Sequence, residues 1–328
     1  MNISLFASPL PQAVRVNEVV TRDGFQSEDR FVPTTDKVAM IDRLSNLGLH
    51  KIEVTSFVSP KAIPNLSDAA EVMQQITRNP AVTYVALIPN EKGAARAVES
   101  QVDEVNLVMS LSEDHNLSNM RMTCAESLAQ FERIVQQLSG TGIRINGSLA
   151  TSFGCPFAGL QPQQKALDMV ARYLDSGIET ITIADTTGMA GPKQVFELCH
   201  DLRQRYPSVD FTLHLHNTRG MGLANVMAGL AAGIDQYDAS LGGLGGCPYA
   251  PGATGNICTE DLVQMIETLA VDTHVDLNGL VELSRTLPAL VGHETPGQVS
   301  KAGLCDETRP LSANLQALKE AKLSPHPI

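Results

Sequence analysis

Residues 180–239 read TITIADTTGMAGPKQVFELCHDLRQRYPSVDFTLHLHNTRGMGLANVMAGLAAGIDQYDA. Three short runs of strand character, Thr180–Ile183, Phe211–Leu215 and Gln236–Ala239, alternate here with two stretches of helical period, Pro192–Arg205 and Leu223–Ala232. Strand, helix and strand in this order form the repeating unit of a parallel sheet, because parallel neighbours need a long crossover between them. Pro192 falls in a first helical turn, where its missing N–H is harmless, and Gly233 follows the second helix as its C-cap.

The same pattern extends outward to the amino terminus. Strands are expected at Val14–Val19, Lys51–Val54, Val82–Leu87, Glu104–Val108 and Arg144–Leu149. Helices are expected at Asp36–Leu47, Ser67–Thr77, Ala125–Leu138 and Gln164–Asp175, with Gly48 and Gly177 as further C-caps. Eight βα units without a break in composition favour an α/β (β/α)8 TIM barrel over an open sheet with an extra lobe. Beyond Thr259 the helical segments Glu260–Leu269, Leu277–Leu287 and Leu311–Ala321 supply the eighth helix and additional C-terminal helices. The expected organisation is one domain over 1–328, with the barrel at about 12–270 and a helical extension at about 271–328.

Composition narrows the function. Hydrophobic residues make up 43% of the 328 positions and charged residues 18%, and no apolar run approaches the roughly 20 residues of a membrane span. The first residues, MNISLFASPLPQ, lack a basic n-region and a long apolar core, so the expected location is the cytoplasm. A net charge of −12 with no basic cluster argues against a nucleic-acid partner, yet leaves room for a small phosphorylated ligand. The six cysteines form no CxxC pair, which fits reduced thiols.

In a parallel barrel the chemistry sits where strands end, so polar residues there are the candidates. Strand one runs into Arg22, Asp23 and Gln26; strand two holds Glu53 and leads to Ser56; strand six ends near Asp185 and Thr186. Strand seven closes with His214-Leu215-His216, and alternation sends both imidazoles to one side. Such a pair either shares an ion or consists of two hydrogen-bonded rim histidines. With Asp23 and an amide oxygen it makes an N/O set suited to Mg²⁺, Mn²⁺ or Zn²⁺. Arg22 beside Asp23 is either a rim salt bridge or a guanidinium aimed at an oxyanion, and Glu53 is expected to face Arg22 and orient it. The run Gly242-Gly243-Leu244-Gly245-Gly246-Cys247-Pro248-Tyr249 follows strand eight as an exposed, lid-like loop. It matches no nucleotide-binding glycine motif. Cys247 is a buried apolar thiol by default and a proton donor if it lies near a cation, whereas Cys155 is taken as structural.

Longer motifs add a resemblance. RDGFQSE at 22–28, IEVTSFVSPKAIPNLSD at 52–68, FGCPFAG at 153–159, ADTTGMA at 184–190 and SLGGLGGCPYAPGATGNICTEDLV at 240–263 are similar to the 3-hydroxy-3-methylglutaryl-CoA lyase family of metal-dependent TIM barrels. The resemblance covers most of the chain. It implies that Asp23, His214, His216 and Asn256 hold Mg²⁺ or Mn²⁺, that Arg22 steadies an enolate, and that Glu53 supports the site. It implies further that Asp185 lies near the reacting hydroxyl, that Cys247 moves with the loop, and that Gln26, Ser56 and Thr182, with Thr186, line the substrate pocket. The implied reaction is retro-Claisen cleavage of a 3-hydroxyacyl-CoA to acetyl-CoA and a ketoacid, with His214 or Asp185 as base; the alternatives are a lyase for a different acyl group or a condensing synthase or aldolase on the same site, and the implied assembly is a homodimer. Two departures stand near the mouth: Phe25 replaces the usual Leu, and Asn217-Thr218-Arg219-Gly220-Met221 replaces the Asp-Thr-Tyr-Gly-Gln of animal members. An added cation at Arg219 either alters acyl selection or caps the following helix.

Overall fold

The computed structural model describes residues 10–246 and 255–323. Eight parallel strands close a barrel: β1 (Arg15–Glu18), β2 (Lys51–Ser56), β3 (Thr83–Leu87), β4 (Glu104–Ser110), β5 (Arg144–Ala150), β6 (Thr180–Asp185), β7 (Asp210–Leu215) and β8 (Gln236–Ala239). Each strand pairs with the next in sequence, and β8 pairs back onto β1 with Val16 opposite Tyr237 and Asn17 opposite Asp238. Every strand lies close to its expected span.

Alternation along these strands divides apolar from polar. Val16, Ile52, Leu107, Ile181, Leu213 and Tyr237 are buried and point outward, where the surrounding helices cover them. The contact is close: a side-chain carbon added to Gly229 on the helix Gly222–Ala231 would stand 2.5 Å from Leu213. The inward positions are mostly polar, Val19 and Val85 excepted, unlike the branched aliphatic filling common in such barrels. Asn17, Glu53, Asn106, Asn146, Thr182 and Asp238 surround a cavity of about 20 Å³. Asn106 Oδ1 accepts from Asn146 Nδ2 (3.0 Å) and from the Ser148 hydroxyl (2.7 Å), so the interior is knitted by hydrogen bonds.

The structure refines the sequence reading in several places. β1 stops at Glu18 and gives way to a π-helical turn, Val20–Gly24, in which the amides of Asp23 and Gly24 both reach the Val19 carbonyl. The segment read as one helix from Leu277 to Leu287 is two, Leu277–Ser284 and Leu287–Val291, with Pro288 in the first turn of the second, where its missing N–H is no loss. Helices also occupy Glu91–Glu99 and Glu113–Met120. The helices Thr259–Thr268 and Leu277–Ser284 bury Leu262, Val263, Ile266 and Leu280 in the same core as the barrel, whereas Ala313–Leu323 buries none of its residues. No helix among the described residues is long and apolar enough to cross a membrane.

Candidate active site

The π turn after β1 places Arg22 and Asp23, consecutive in sequence, side by side at the barrel mouth, and both are buried. A π turn widens the helix by one residue, and such turns recur where side chains must be aimed. On β2 the pairing with β3 slips between Glu53 and Thr55. This irregularity accompanies the inward turn of Glu53, whose Oε2 accepts from Arg22 Nε at 2.5 Å. Arg22 also donates to the Asp23 carboxylate. Glu53 Oε1 accepts from Asn106 Nδ2 at 2.9 Å, so Glu53 is itself braced from β4. Glu53 and Arg22 are therefore in direct contact between β2 and the turn after β1.

His214 on β7 and His216 just beyond it turn their Nε2 atoms toward each other at 3.1 Å, and each lies 3.9 Å from Asp23 Oδ2. The three side chains are buried and form one cluster. His214 Nδ1 faces Asp238 Oδ2 at 3.2 Å, and Asp238 Oδ1 accepts from Asn17 Nδ2 at 2.8 Å. Asn256 arrives from far along the chain because it bridges to His216 in antiparallel fashion, flanked by Asn217 N–H to Gly255 O (2.9 Å) and Ile257 N–H to Leu215 O (3.0 Å). Its Nδ2 donates to Asp23 Oδ2 (2.7 Å) and to the Leu244 carbonyl (2.9 Å). Gln26 Nε2 donates to Asp23 Oδ1 at 2.8 Å.

The electrostatics of the cluster fit a dication. Burial acts to raise the Asp23 carboxyl, but the Arg22 guanidinium and the two imidazoles outweigh it and hold the group below its ordinary value. Burial acts to lower His214, yet its bond to Asp238 and the charge of Asp23 raise it, while burial and then His214 push His216 down to about 3. Glu53 is raised by burial against the pull of Arg22. Among the described residues His216 Nδ1 and Asn256 Oδ1 are buried without a hydrogen-bond partner. Two ring nitrogens meeting at hydrogen-bond distance, beside a carboxylate and an unpartnered amide oxygen, are donors to a metal in need of one. Asp23, His214 and His216 fit directly, whereas Asn256 has to turn its amide over to offer Oδ1.

The remaining candidates separate. Asp185 is fully buried, and its carboxylate accepts from the backbone N–H groups of Met189 (2.8 Å) and Ala190 (3.1 Å). Burial raises it to about 6, against those two N–H groups and the positive fields of Arg219 and His214. Thr186 Oγ1 accepts from Thr151 N–H, Ser56 Oγ accepts from Val58 N–H, and Thr182 bonds Asn146 inside the barrel. Thr186 and Thr182 thus link β6 and its loop to β5 and its loop, Ser56 stays within its own turn, and none of these bonds reaches the Asp23/His214/His216 cluster. Cys247 lies outside the described residues. Cys155 is buried, and its sulfur accepts from Phe157 and Ala158 N–H, as a structural thiol should.

Other readings change. Phe25 is wholly buried in the core. Arg219 donates to the carbonyls of Thr187 (3.1 Å) and Gly188 (2.8 Å), strapping the loop after β7 to the loop after β6 instead of capping its own helix. That capping falls to Asn217, whose Oδ1 accepts from Gly222 N–H. The stretch Leu241–Gly245 is buried, not an exposed loop, because absent side chains allow close approach. At Gly245, with φ +103°, a side-chain carbon would stand 2.5 Å from Asn256 Nδ2 and 2.8 Å from Asp23 O. Asp238 and Asn106, which hold His214 and Glu53, escaped the sequence reading. Their signal was available: a polar residue at every second strand position, as in Lys51/Glu53, Glu104/Asn106 and Gln236/Asp238.

Comparison with known proteins agrees with this geometry. The HMGL-like family model matches residues 13–287. The hydroxymethylglutaryl-CoA lyase YngG of Bacillus subtilis is 39% identical over 290 residues, 88% of this chain and 97% of that protein. The (R)-citramalyl-CoA lyase of Chloroflexus aurantiacus is 38% identical over 302 residues, 89% of this chain and 95% of its own length. A solved HMG-CoA lyase from Acinetobacter baumannii, in complex with coenzyme A and 3-methylmalate, superposes with a TM-score of 0.89 at 52% identity, covering 93% of this chain and all of that one. With the barrel, the Asp/His/His cluster and these relatives in agreement, the chain belongs to the HMGL-like family and is a lyase.

Proposed function

We propose that this enzyme cleaves 3-hydroxy-3-methylglutaryl-CoA, or a closely related 3-hydroxyacyl-CoA, into acetyl-CoA and a ketoacid, acetoacetate for the first substrate. The convergence of Asp23, His214 and His216 beside a guanidinium held by Glu53 carries the reading. Asp23, His214, His216 and a turned Asn256 would hold Mg²⁺ or Mn²⁺, whose Lewis acidity makes a tertiary hydroxyl acidic enough to lose its proton.

His214 presents Nε2 to the cluster and Nδ1 to Asp238, so as a ligand it has no free lone pair for proton transfer. Asp185, raised by burial to about 6, suits a base working near neutrality. It takes the hydroxyl proton, the C3 oxygen becomes a carbonyl, and the C2–C3 bonding pair passes to the thioester as an enolate. Arg22 steadies the enolate oxygen of the thioester, and Cys247 returns a proton to C2. Part of the polar filling of the barrel backs these groups, holding Glu53 and His214 from below so that they need not reorganise during the reaction.

A related acyl group is the second reading. The Bacillus relative named for hydroxymethylglutaryl-CoA and the Chloroflexus relative named for citramalyl-CoA stand at 39% and 38% identity, and Arg219 joins the β6 and β7 loops. The reading also carries a homodimer, a cytoplasmic location, and a place in leucine degradation and ketone-body formation. The test is a panel of 3-hydroxyacyl-CoA thioesters, assayed for acetyl-CoA release before and after chelation. Release from hydroxymethylglutaryl-CoA that stops with chelator and returns with Mn²⁺ supports the proposal. Release confined to citramalyl-CoA replaces it with the second reading, and release indifferent to chelator removes the metal.

A further inference from the structure

The cluster is assembled from backbone segments that lie far apart in sequence: the turn 20–24 with Arg22 and Asp23, the glycine-rich segment 241–246, and the stretch around Asn256. One buried carboxyl lies where they meet. Glu18, the last residue of β1, accepts on a single oxygen, Oε1, from Val20 N–H (2.8 Å) and from Leu241 N–H (2.9 Å). Its Oε2 pairs with the Thr259 hydroxyl at 2.8 Å. Val20 opens the π turn, Leu241 opens the glycine-rich segment, and Thr259 opens the helix that follows Asn256. Glu260 reinforces the junction: its Oε2 accepts from Gly242 N–H (3.0 Å) and its Oε1 from the Ser284 hydroxyl (2.5 Å).

We propose that Glu18 is a positioning residue of the metal site, acting through the backbone: by holding Val20 and Leu241 on one oxygen atom, it sets where Asp23 stands relative to Gly245 and Asn256. The inference rests on the metal reading of that cluster. Both amides are otherwise interior donors, and leaving them unmade would cost enough to let the two segments drift. Burial pushes the Glu18 carboxyl up to about 8, against the N–H groups of Leu241 and Val20 and the Thr259 hydroxyl. A neutral acid can still accept both amides on Oε1 while its hydroxyl serves Thr259. The amide of glutamine reproduces that arrangement, which makes Glu18→Gln the informative conservative variant.

The experiment compares Glu18→Gln with Glu18→Ala in the full chain, with Glu104→Gln at the opposite end of the barrel as a control for lost stability. Two quantities are read: amide hydrogen exchange of peptides covering Val20 and Leu241 in metal-free protein, and the Mn²⁺ Kd without substrate. Glu18→Gln should stay within about threefold of the parent in both, while Glu18→Ala exchanges at least about tenfold faster at both sites and binds Mn²⁺ about tenfold more weakly. Glu104→Gln should lower the melting temperature and move neither. If Glu18→Ala does not fold, Glu18→Asp, which draws the carboxyl back by one methylene, takes its place with the same expectation. Parent-like exchange and Mn²⁺ Kd in Glu18→Ala or Glu18→Asp would overturn the proposal. If the parent itself binds no Mn²⁺, the metal reading fails alone, and exchange at Val20 and Leu241 still judges Glu18.

Discussion

At the amino-terminal end of the barrel, Lys51 Nζ lies 2.6 and 2.8 Å from the two oxygens of Glu104, with Arg144 3.6 Å from one of them. At the other end Arg22 is shared between Asp23 and Glu53, two ring nitrogens face each other, and a buried amide oxygen has no partner among the described residues. Both regions take charges out of water, at a cost that only good pairing offsets. The floor supplies that pairing from within the chain. At the mouth Arg22 pairs with Asp23 and Glu53 while Asp238 pairs with His214, so three carboxylates stand against one permanent cation, and a dication bound with both imidazoles neutral would bring the group to neutrality. Buried charge at the floor fixes strands to one another, whereas buried charge at the mouth is arranged for something that binds.

Exchanging the roles of the two ends should fail in a graded way. Asp23→Asn should abolish Mn²⁺ binding and lower kcat/KM at least about 1000-fold, on the order of 4 kcal/mol, with the melting temperature unchanged or higher. Lys51→Met should do the reverse: denaturant unfolding should show a loss on the order of 3 kcal/mol with Mn²⁺ affinity intact, and Lys51→Met/Glu104→Leu should recover most of it. If Lys51→Met weakens metal binding as much as it weakens the fold, the two ends are not independent.

Asp238→Asn sharpens the contrast, since Asp238 touches His214 from inside the barrel. Calorimetry should find Mn²⁺ bound about ten- to a hundredfold more weakly, with a smaller effect on unfolding. The smallest effect expected concerns pH. Asp185 must be ionised to act as base, so kcat/KM should rise as pH passes through about 6. The positive charge of Arg219 helps hold Asp185 down, so Arg219→Ala should move that limb to higher pH, by less than about one unit. A limb that stays in place would detach Arg219 from Asp185.

Much of this was legible in the sequence for a physical reason. Strand, helix and strand leave periodicities of two and 3.6 that tertiary context did not override, so all eight strands were found. His214 and His216 were found because alternation alone puts them on one face. The π turn at Val20–Gly24 was not legible: Glu18 accepts the Val20 amide together with the Leu241 amide, and the Thr21 hydroxyl reaches the Glu53 carbonyl, and the contacts to Leu241 and Glu53 exist only after the barrel closes. The burial of Leu241–Gly245 was hidden likewise, because glycine signals both mobility and close approach, and only the neighbouring Asp23 and Asn256 decide between them. Asp238 was legible from the Gln236/Asp238 alternation, which marks the inward face of its strand, but no motif singles it out as the partner of His214.

The central claim is that one divalent cation belongs between Asp23, His214 and His216. Anomalous diffraction from crystals of the protein grown with Mn²⁺ tests it most directly. A single strong peak within bonding distance of an Asp23 carboxylate oxygen and of both Nε2 atoms is the expected result. No peak there, or a peak held by other side chains while the two imidazoles remain hydrogen-bonded to each other, would contradict it.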